Sequence, residues 1–123
     1  MALPENVLKL KSFAFALRMI KLYKYLIVSK KEFVMSKQLL RSGTSVGAMI
    51  REAQNAESKP DFIHKLAIGQ KECDETLYWL ELLFESEYLA KEEFESVYKE
   101  GNEILKIIKS SIITAKQNLK GGR

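Results

Sequence analysis

Apolar residues recur every three or four positions along most of this chain, which is the spacing of one face of an α-helix. The pattern divides into four long stretches with only a few residues between them, at residues 5–29, 36–56, 60–85 and 91–119. Ser36 is the N-cap candidate of the second stretch. Helices joined by connections this short lie antiparallel to their neighbours. The spacing therefore predicts an all-α protein in which residues 1–123 form a single up-down-up-down antiparallel four-helix bundle.

The cysteine and histidine content argues against most catalytic and metal sites. Cys73 and His64 are the only residues of their types, so the chain can form neither an internal disulfide framework nor a Cys/His zinc site. A di-metal centre in a helical bundle needs two Glu-x-x-His pairs, which one histidine cannot supply. No nucleophile has a histidine partner. We therefore expect no catalytic residues, no metal, no cofactor and no enzymatic activity.

Basic residues interrupt the apolar positions of residues 1–26, so this segment suits neither a signal sequence nor a membrane span. They are Lys9, Lys11, Arg18, Lys21 and Lys24. The sequence predicts a cytoplasmic protein that does not contact a membrane.

Two glycines, Gly43 and Gly47, lie inside the second helix, where each costs about 1 kcal/mol relative to alanine. A phosphate-binding loop would need a preceding strand and a terminal Lys-Ser or Lys-Thr, and neither is present. Glycines also let two helix backbones approach closely. With a turn near residues 58 and 59, the antiparallel register places Gly47 opposite Gly69. Close helix packing is thus expected at Gly43, Gly47 and Gly69.

The same register places Arg41 level with Glu75 on the third helix. Glu75 lies in a stripe that also carries apolar residues, which indicates a buried or interfacial position. We therefore predict a buried ion pair between Arg41 and Glu75 that fixes the register of the two helices.

The first helix carries two apolar stripes, although one is enough to cover the core of a bundle. One consists of Leu10, Phe13, Leu17, Ile20 and Ile27, and the other of Leu8, Phe15, Met19, Leu22 and Leu26. The third helix has a second stripe as well. A surplus stripe indicates burial against another subunit, so we expect a homo-oligomer. The residues assigned to its interface are Phe15, Met19, Leu22, Leu26, Ile68, Trp79 and Leu82.

Charge is distributed unevenly along the chain. Residues 1–71 carry 13 Lys/Arg and 5 Asp/Glu, residues 72–103 carry 2 and 11, and residues 104–123 carry 5 Lys/Arg and no acidic residue. This polarity suits phosphate binding, a solvated surface or charge-complementary self-assembly, and the sequence leaves these open. The residues assigned to nucleic-acid binding, as a hypothesis, are Lys9, Lys11, Lys106, Lys109, Lys116 and Lys120.

The segments "SKQLLRSGTSVGAMIREA" and "DFIHKLAIGQKECDETLYWLELL" resemble the bacterial four-helix-bundle family of 23S rRNA intervening-sequence proteins. A Gly/Ser-interrupted second helix and a Trp-Leu-x-Leu-Leu-like run ending the third carry this resemblance, which spans nearly the whole chain. The resemblance implies a cytoplasmic, ring-shaped homopentamer. It also implies a relation to the accessory proteins of diversity-generating retroelements, which partner a reverse transcriptase and bind nucleic acid.

Two functions follow as expectations. The first is a non-enzymatic, homo-oligomeric four-helix-bundle scaffold whose lysines contact RNA or DNA, with a nucleic-acid enzyme such as a reverse transcriptase as a further partner. The alternative is a protein-binding adaptor whose charge asymmetry serves self-assembly, without nucleic-acid binding. The salt dependence of binding to structured RNA distinguishes them, because phosphate-driven complexes weaken steeply as salt rises.

Overall fold

The computed structural model describes residues 4–121, with side chains from Val7 onward, and the regular structure in this part of the chain is helical. Helix α1 extends over Pro4–Val28, α2 over Met35–Gln54, α3 over Lys59–Glu85 and α4 over Lys91–Lys120. The predicted all-α fold with four helices is confirmed. Each predicted boundary lies within two residues of the observed one.

Each helix packs against the next one in the chain, and α1 also packs against α4. Among the described residues, α1 and α3 do not pack on each other, and neither do α2 and α4, so these pairs lie diagonally across the bundle. Lys11 of α1 pairs with Glu103 of α4, whereas Arg18, further along α1, pairs with Glu93 and Glu100. Later residues of α1 therefore pair with earlier residues of α4. The two helices run antiparallel, as an up-down-up-down bundle requires.

The core is built from the inward faces of all four helices. Leu39, Val46 and Ile50 of α2 meet the inward residues of the other three helices in one cluster. Gly101 of α4 makes room in this core, because a Cβ atom there would lie 2.8 Å from a methyl group of Leu77. From α1, the core takes Leu8, Phe15, Met19, Leu22 and Leu26.

The two glycines of α2 lie against α1, not against α3 as the register argument predicted. A Cβ atom at Gly43 would lie 2.7 Å from the Sδ atom of Met19 and 3.1 Å from its Cβ atom. One at Gly47 would lie 3.4 Å from the carbonyl oxygen of Ser12. The glycines therefore bring α2 close to α1, and Gly43 leaves the space that the Met19 side chain occupies.

Gly69 of α3 does approach α2, at the level that the register predicts. Its Cβ position is 3.4 Å from the Cβ atom of Met49 and 4.0 Å from the carbonyl oxygen of Val46. These residues flank Gly47, yet Gly47 itself is not among the near neighbours of that position. The predicted level is right, and the predicted contact between Gly47 and Gly69 is wrong because Gly47 faces the other neighbouring helix.

Candidate functional site

The most exposed apolar surface of α1 is the outward one of its two stripes. Leu10 is 69% exposed, Phe13 53%, Leu17 51% and Ile20 37%. Lys24 continues this line one turn after Ile20 and is exposed as well. Four large apolar side chains on successive turns thus face away from the bundle. We call Leu10, Phe13, Leu17 and Ile20 the outer stripe.

The structure corrects the α1 part of the interface assignment. Phe15, Met19, Leu22 and Leu26 are all buried in the core of their own chain, with at most 4% of their surface exposed. A second subunit could contact only the small accessible edge of Leu22, because the other three side chains are fully covered in this fold. The expectation of a surplus stripe is met by the outer stripe instead.

The α3 part of the assignment falls on half-buried residues. Ile68, Trp79 and Leu82 all keep part of their surface accessible. The Trp79 ring packs against the core, contacts the Tyr78 ring edge to face at 5.2 Å, and donates its indole N–H to Glu75 at 3.0 Å. Trp79 is therefore held mainly by its own chain.

An open groove of about 900 Å³ runs between the second half of α1 and the start of α4. Leu22 and Leu89 contribute to its apolar lining, and Lys21 and Lys24 also line it. Leu17 of the outer stripe lines it too, so the groove and the stripe form one continuous surface. This surface combines apolar area with positive charge.

Two cations of α1 are already neutralised by α4. Lys11 lies 3.4 Å from Glu103, and Arg18 binds Glu93 at 2.7 Å and also binds Glu100. Burial disfavours the charged form of Arg18, but the hydrogen bonds and charges of the two carboxylates outweigh it and raise the pKa of Arg18. These pairs link α1 to α4 beside the groove.

The predicted pair of Arg41 and Glu75 is formed, but it is not buried. Nη2 of Arg41 lies 2.6 Å from Glu75 and 3.1 Å from Glu72, and the side chains of Arg41 and Glu75 are 48% and 38% exposed. Hydrogen bonds from Trp79 and then Arg41 lower the pKa of Glu75, and the bond to Glu75 is the main cause that raises the pKa of Arg41. The pair lies at the rim of the α2–α3 contact, where water screens it.

The six lysines assigned to nucleic-acid binding lie on two helices, α1 and α4. Lys9 lines a small groove between α1 and α2, beside Gly47 and Arg51. Lys11 is engaged by Glu103 of α4. The other four are exposed along α4, and none of them forms an ion pair within the described part of the chain; they are Lys106, Lys109, Lys116 and Lys120.

Cys73 is buried, its thiol donates to the carbonyl oxygen of Gly101 at 3.4 Å, and burial followed by the charge of Asp74 raises its pKa to about 12. Residues 4–121 contain no group of three or more His, Cys, Asp or Glu side chains placed to hold a metal ion. None of the helices in that range has the length and apolar character to cross a membrane.

The residues that sequence reasoning missed are Leu10, Phe13, Leu17 and Ile20 as the exposed stripe, together with Lys21 and Lys24. A signal for them was present. Lys24 falls on the line of Leu17 and Ile20 at helical spacing, whereas the buried stripe contains no charged residue. A lysine within a stripe marks the side that faces water.

The fold and this surface define a four-helix bundle whose first helix presents an exposed apolar face. The family model described as 23S rRNA-intervening sequence protein matches residues 5–110, and the chain belongs to this family. A solved structure from Bacteroides thetaiotaomicron, described as a protein with unknown function from the S23 ribosomal protein family, is 55% identical. The match covers 89% of this chain and 98% of that chain, with a TM-score of 0.88. No curated protein matches the chain.

Proposed function

We propose that this chain is a non-enzymatic cytoplasmic scaffold that assembles with copies of itself through the outer stripe of α1. The observation that carries the proposal is the exposure of Leu10, Phe13, Leu17 and Ile20 on successive turns. Removing such a side chain from water contributes about 1.5–3 kcal/mol when burial is complete. A contiguous apolar face of this kind marks an interaction surface.

The family resemblance favours a homopentameric ring as the form of this assembly. In a ring each subunit uses two different surfaces, one for each neighbour. The outer stripe supplies one of them. The description of the solved relative states that its function is unknown, so the assembly and its partners are proposals for this chain.

A charged residue at the centre of the stripe tests the proposal. We expect Leu17→Glu to shift the protein toward single chains, because association would move a carboxylate from water into an apolar contact. Ile113→Glu is the matched control, since Ile113 is an exposed apolar residue of α4 outside the stripe. Sedimentation equilibrium measures both masses, and circular dichroism confirms that both variants are helical. Equal association of the two variants would contradict the role of the stripe.

Nucleic-acid binding is a second candidate function, supported by the exposed lysines of α4. Lys106, Lys109, Lys116 and Lys120 form no ion pair within residues 4–121, so they are available to phosphate groups. Assembly into a ring would multiply these contacts, because each subunit brings its own set. RNA, DNA or a nucleic-acid enzyme such as a reverse transcriptase is the partner that the family resemblance suggests.

Binding to a structured RNA at rising salt tests this second function. We expect affinity to fall steeply from about 50 to about 200 mM salt. In Lys106→Gln/Lys109→Gln the logarithm of affinity should fall less steeply with the logarithm of salt concentration, because fewer phosphate contacts are made. Lys30→Gln/Lys31→Gln, in the turn between α1 and α2, is the control for lost charge. Absence of binding at low salt would favour the protein-binding adaptor instead.

A further inference from the structure

We infer that the outward surface of α1 binds an acidic surface of the next copy, formed where α3 packs beside α4. The inference rests on the proposed function, because it names the partner surface of the same outer stripe. The acidic surface consists of Asp74, Tyr78, Glu81 and Glu85 of α3.

The charge of the α1 groove restricts what can occupy it. Lys21 and Lys24 are exposed along the groove, and neither forms an ion pair with any residue that the structure describes. Glu93 also lines the groove, but it is already bound to Arg18. An occupant that covers the groove takes two ammonium groups out of water, which is costly unless it supplies carboxylates. The groove therefore suits a partner that is both acidic and apolar.

A line of exposed residues on α3 has this chemistry. Asp74, Tyr78, Glu81 and Glu85 follow one another at helical spacing, so they share one side of the helix. The exposed Tyr78 ring lies between carboxylates one turn before it and one turn after it. Glu81 accepts a hydrogen bond from Tyr98 of α4 at 2.7 Å, which places the line beside α4. Tyr78 can enter the apolar groove while its neighbours meet the lysines.

The two surfaces lie on different sides of the bundle. The groove is on the side formed by α1 and α4, and the acidic line is on the side formed by α3 and α4. A contact between different surfaces is heterologous, so each copy offers its groove to one neighbour and its acidic line to another. The two sides meet at an angle along α4. Successive copies therefore turn relative to one another, as closure into a ring requires.

Both surfaces also lie at the same end of the bundle. The groove reaches Leu89 in the turn between α3 and α4, and Glu85 is the last residue of α3 before that turn. Copies placed side by side with parallel long axes would bring Lys21 and Lys24 level with Glu85. The acidic line of a second copy therefore matches the groove in three respects: its charge is opposite, it carries an aromatic ring, and it lies at the same level along the bundle.

Charge reversal on α1 tests the inference. We expect Lys21→Glu/Lys24→Glu to weaken self-association about 10- to 100-fold at low salt, because two attractions become repulsions. Lys116→Glu/Lys120→Glu, near the end of α4 that is remote from the groove, is the matched control and should associate like the unchanged protein. Sedimentation equilibrium gives the association constants, and circular dichroism checks that each variant is helical.

Restoration by a second reversal identifies the partner surface. Adding Glu81→Lys and Glu85→Lys, which lie one turn apart as Lys21 and Lys24 do, to the α1 reversal exchanges the signs on both surfaces, and we expect association to return. If it stays weak while the fourfold variant remains helical, the partner is not the acidic line and the inference is wrong. It is also wrong if the α1 reversal leaves association unchanged, although the proposed function would then stand. An unchanged protein that is monomeric throughout would overturn both.

Discussion

At the scale of single residues, one carboxylate holds the turn between α1 and α2. Glu32 is buried, and its side chain accepts backbone N–H groups from Val34 at 3.2 Å, Met35 at 3.1 Å and Ser36 at 2.7 Å. The first N–H groups of a helix have no partner within the helix itself. Glu32 therefore satisfies the start of α2, and its negative charge also suits the positive end of the helix dipole.

We predict that Glu32→Ala lowers the free energy of unfolding by about 1–2 kcal/mol, the range for loss of a helix cap. Glu57→Ala, an exposed residue in the turn before α3, is the control and should change it by less than about 0.5 kcal/mol. Urea denaturation measures both. Equal effects from the two substitutions would show that the cap contributes no more than an exposed carboxylate.

This cap is a feature that the sequence pattern could not provide. Ser36 was the N-cap candidate, but it lies inside α2, where its hydroxyl donates to the carbonyl oxygen of Glu32 at 2.8 Å. Glu32 reaches the helix because Lys31 adopts a left-handed backbone conformation with φ of 55°. Lysine rarely adopts this conformation, so nothing in the local composition indicates it. By contrast, the Arg41 and Glu75 pairing follows from register alone, and only its exposure was wrong.

The exposure of that pair sets its expected contribution at about 0–1 kcal/mol, well below that of a buried pair. Because the pKa of Glu75 is lowered, its stabilisation is complete above the ordinary value of 4.5 and is lost as pH falls through the folded value. We predict that Glu75→Gln reduces the loss of stability between about pH 5 and about pH 3. Glu57→Gln, which breaks no ion pair in the described chain and lies outside the proposed assembly surfaces, should leave the profile unchanged. The urea concentration at the unfolding midpoint is measured across this pH range for the unchanged protein and both variants. Identical dependence on pH in all three would contradict the prediction.

At the scale of the elements, α2 and α1 fit together through matched small and large side chains. The Met19 side chain occupies the space that Gly43 leaves, whereas Gly47 faces the backbone of Ser12 at ordinary contact distance. Two glycines of one helix therefore have different roles. The first accommodates a specific side chain, and the second only permits the approach of the helices.

Alanine substitutions separate these roles. We predict that Gly47→Ala is neutral or stabilises by up to about 1 kcal/mol, because a Cβ fits and helix propensity improves. Gly43→Ala should be less stable than Gly47→Ala by about 1–3 kcal/mol, because the added Cβ overlaps Met19. Urea denaturation gives the difference. Equal stability of the two variants would mean that Met19 adapts without cost.

Sequence reasoning gave the number, bounds and order of the helices, and the level at which α2 and α3 meet. It did not predict which of the neighbouring helices a given residue faces. Each helix has two neighbours, and a register count relates levels along one pair of helices only. Gly47 was therefore assigned to α3 although it faces α1. Gly101 was missed because its role depends on Leu77 and Phe15, which are distant in sequence.

At the scale of the whole molecule, the choice between the two stripes of α1 determines what the protein presents to its surroundings. Both stripes have helical spacing and similar apolar content, so periodicity alone cannot rank them. Complementary space selects the buried one, since Met19 meets Gly43 and the Phe15 ring lies 3.4 Å from the Cβ position of Gly101. The outer stripe stays 37–69% exposed, with the Arg51 guanidinium 5.7 Å from the centroid of the Phe13 ring. Beside it lie Lys21 and Lys24, which form no ion pair with any residue that the structure describes.

The most direct test of the central claim is the molar mass of the unchanged protein by light scattering across a dilution series at micromolar concentration. The account predicts a mass that is a multiple of the 14.1 kDa of one chain. With five copies, as the family resemblance suggests, the protein would form a single species that dissociates only on strong dilution. A mass of 14.1 kDa at every concentration would contradict the claim that the outer stripe of α1 is an assembly surface.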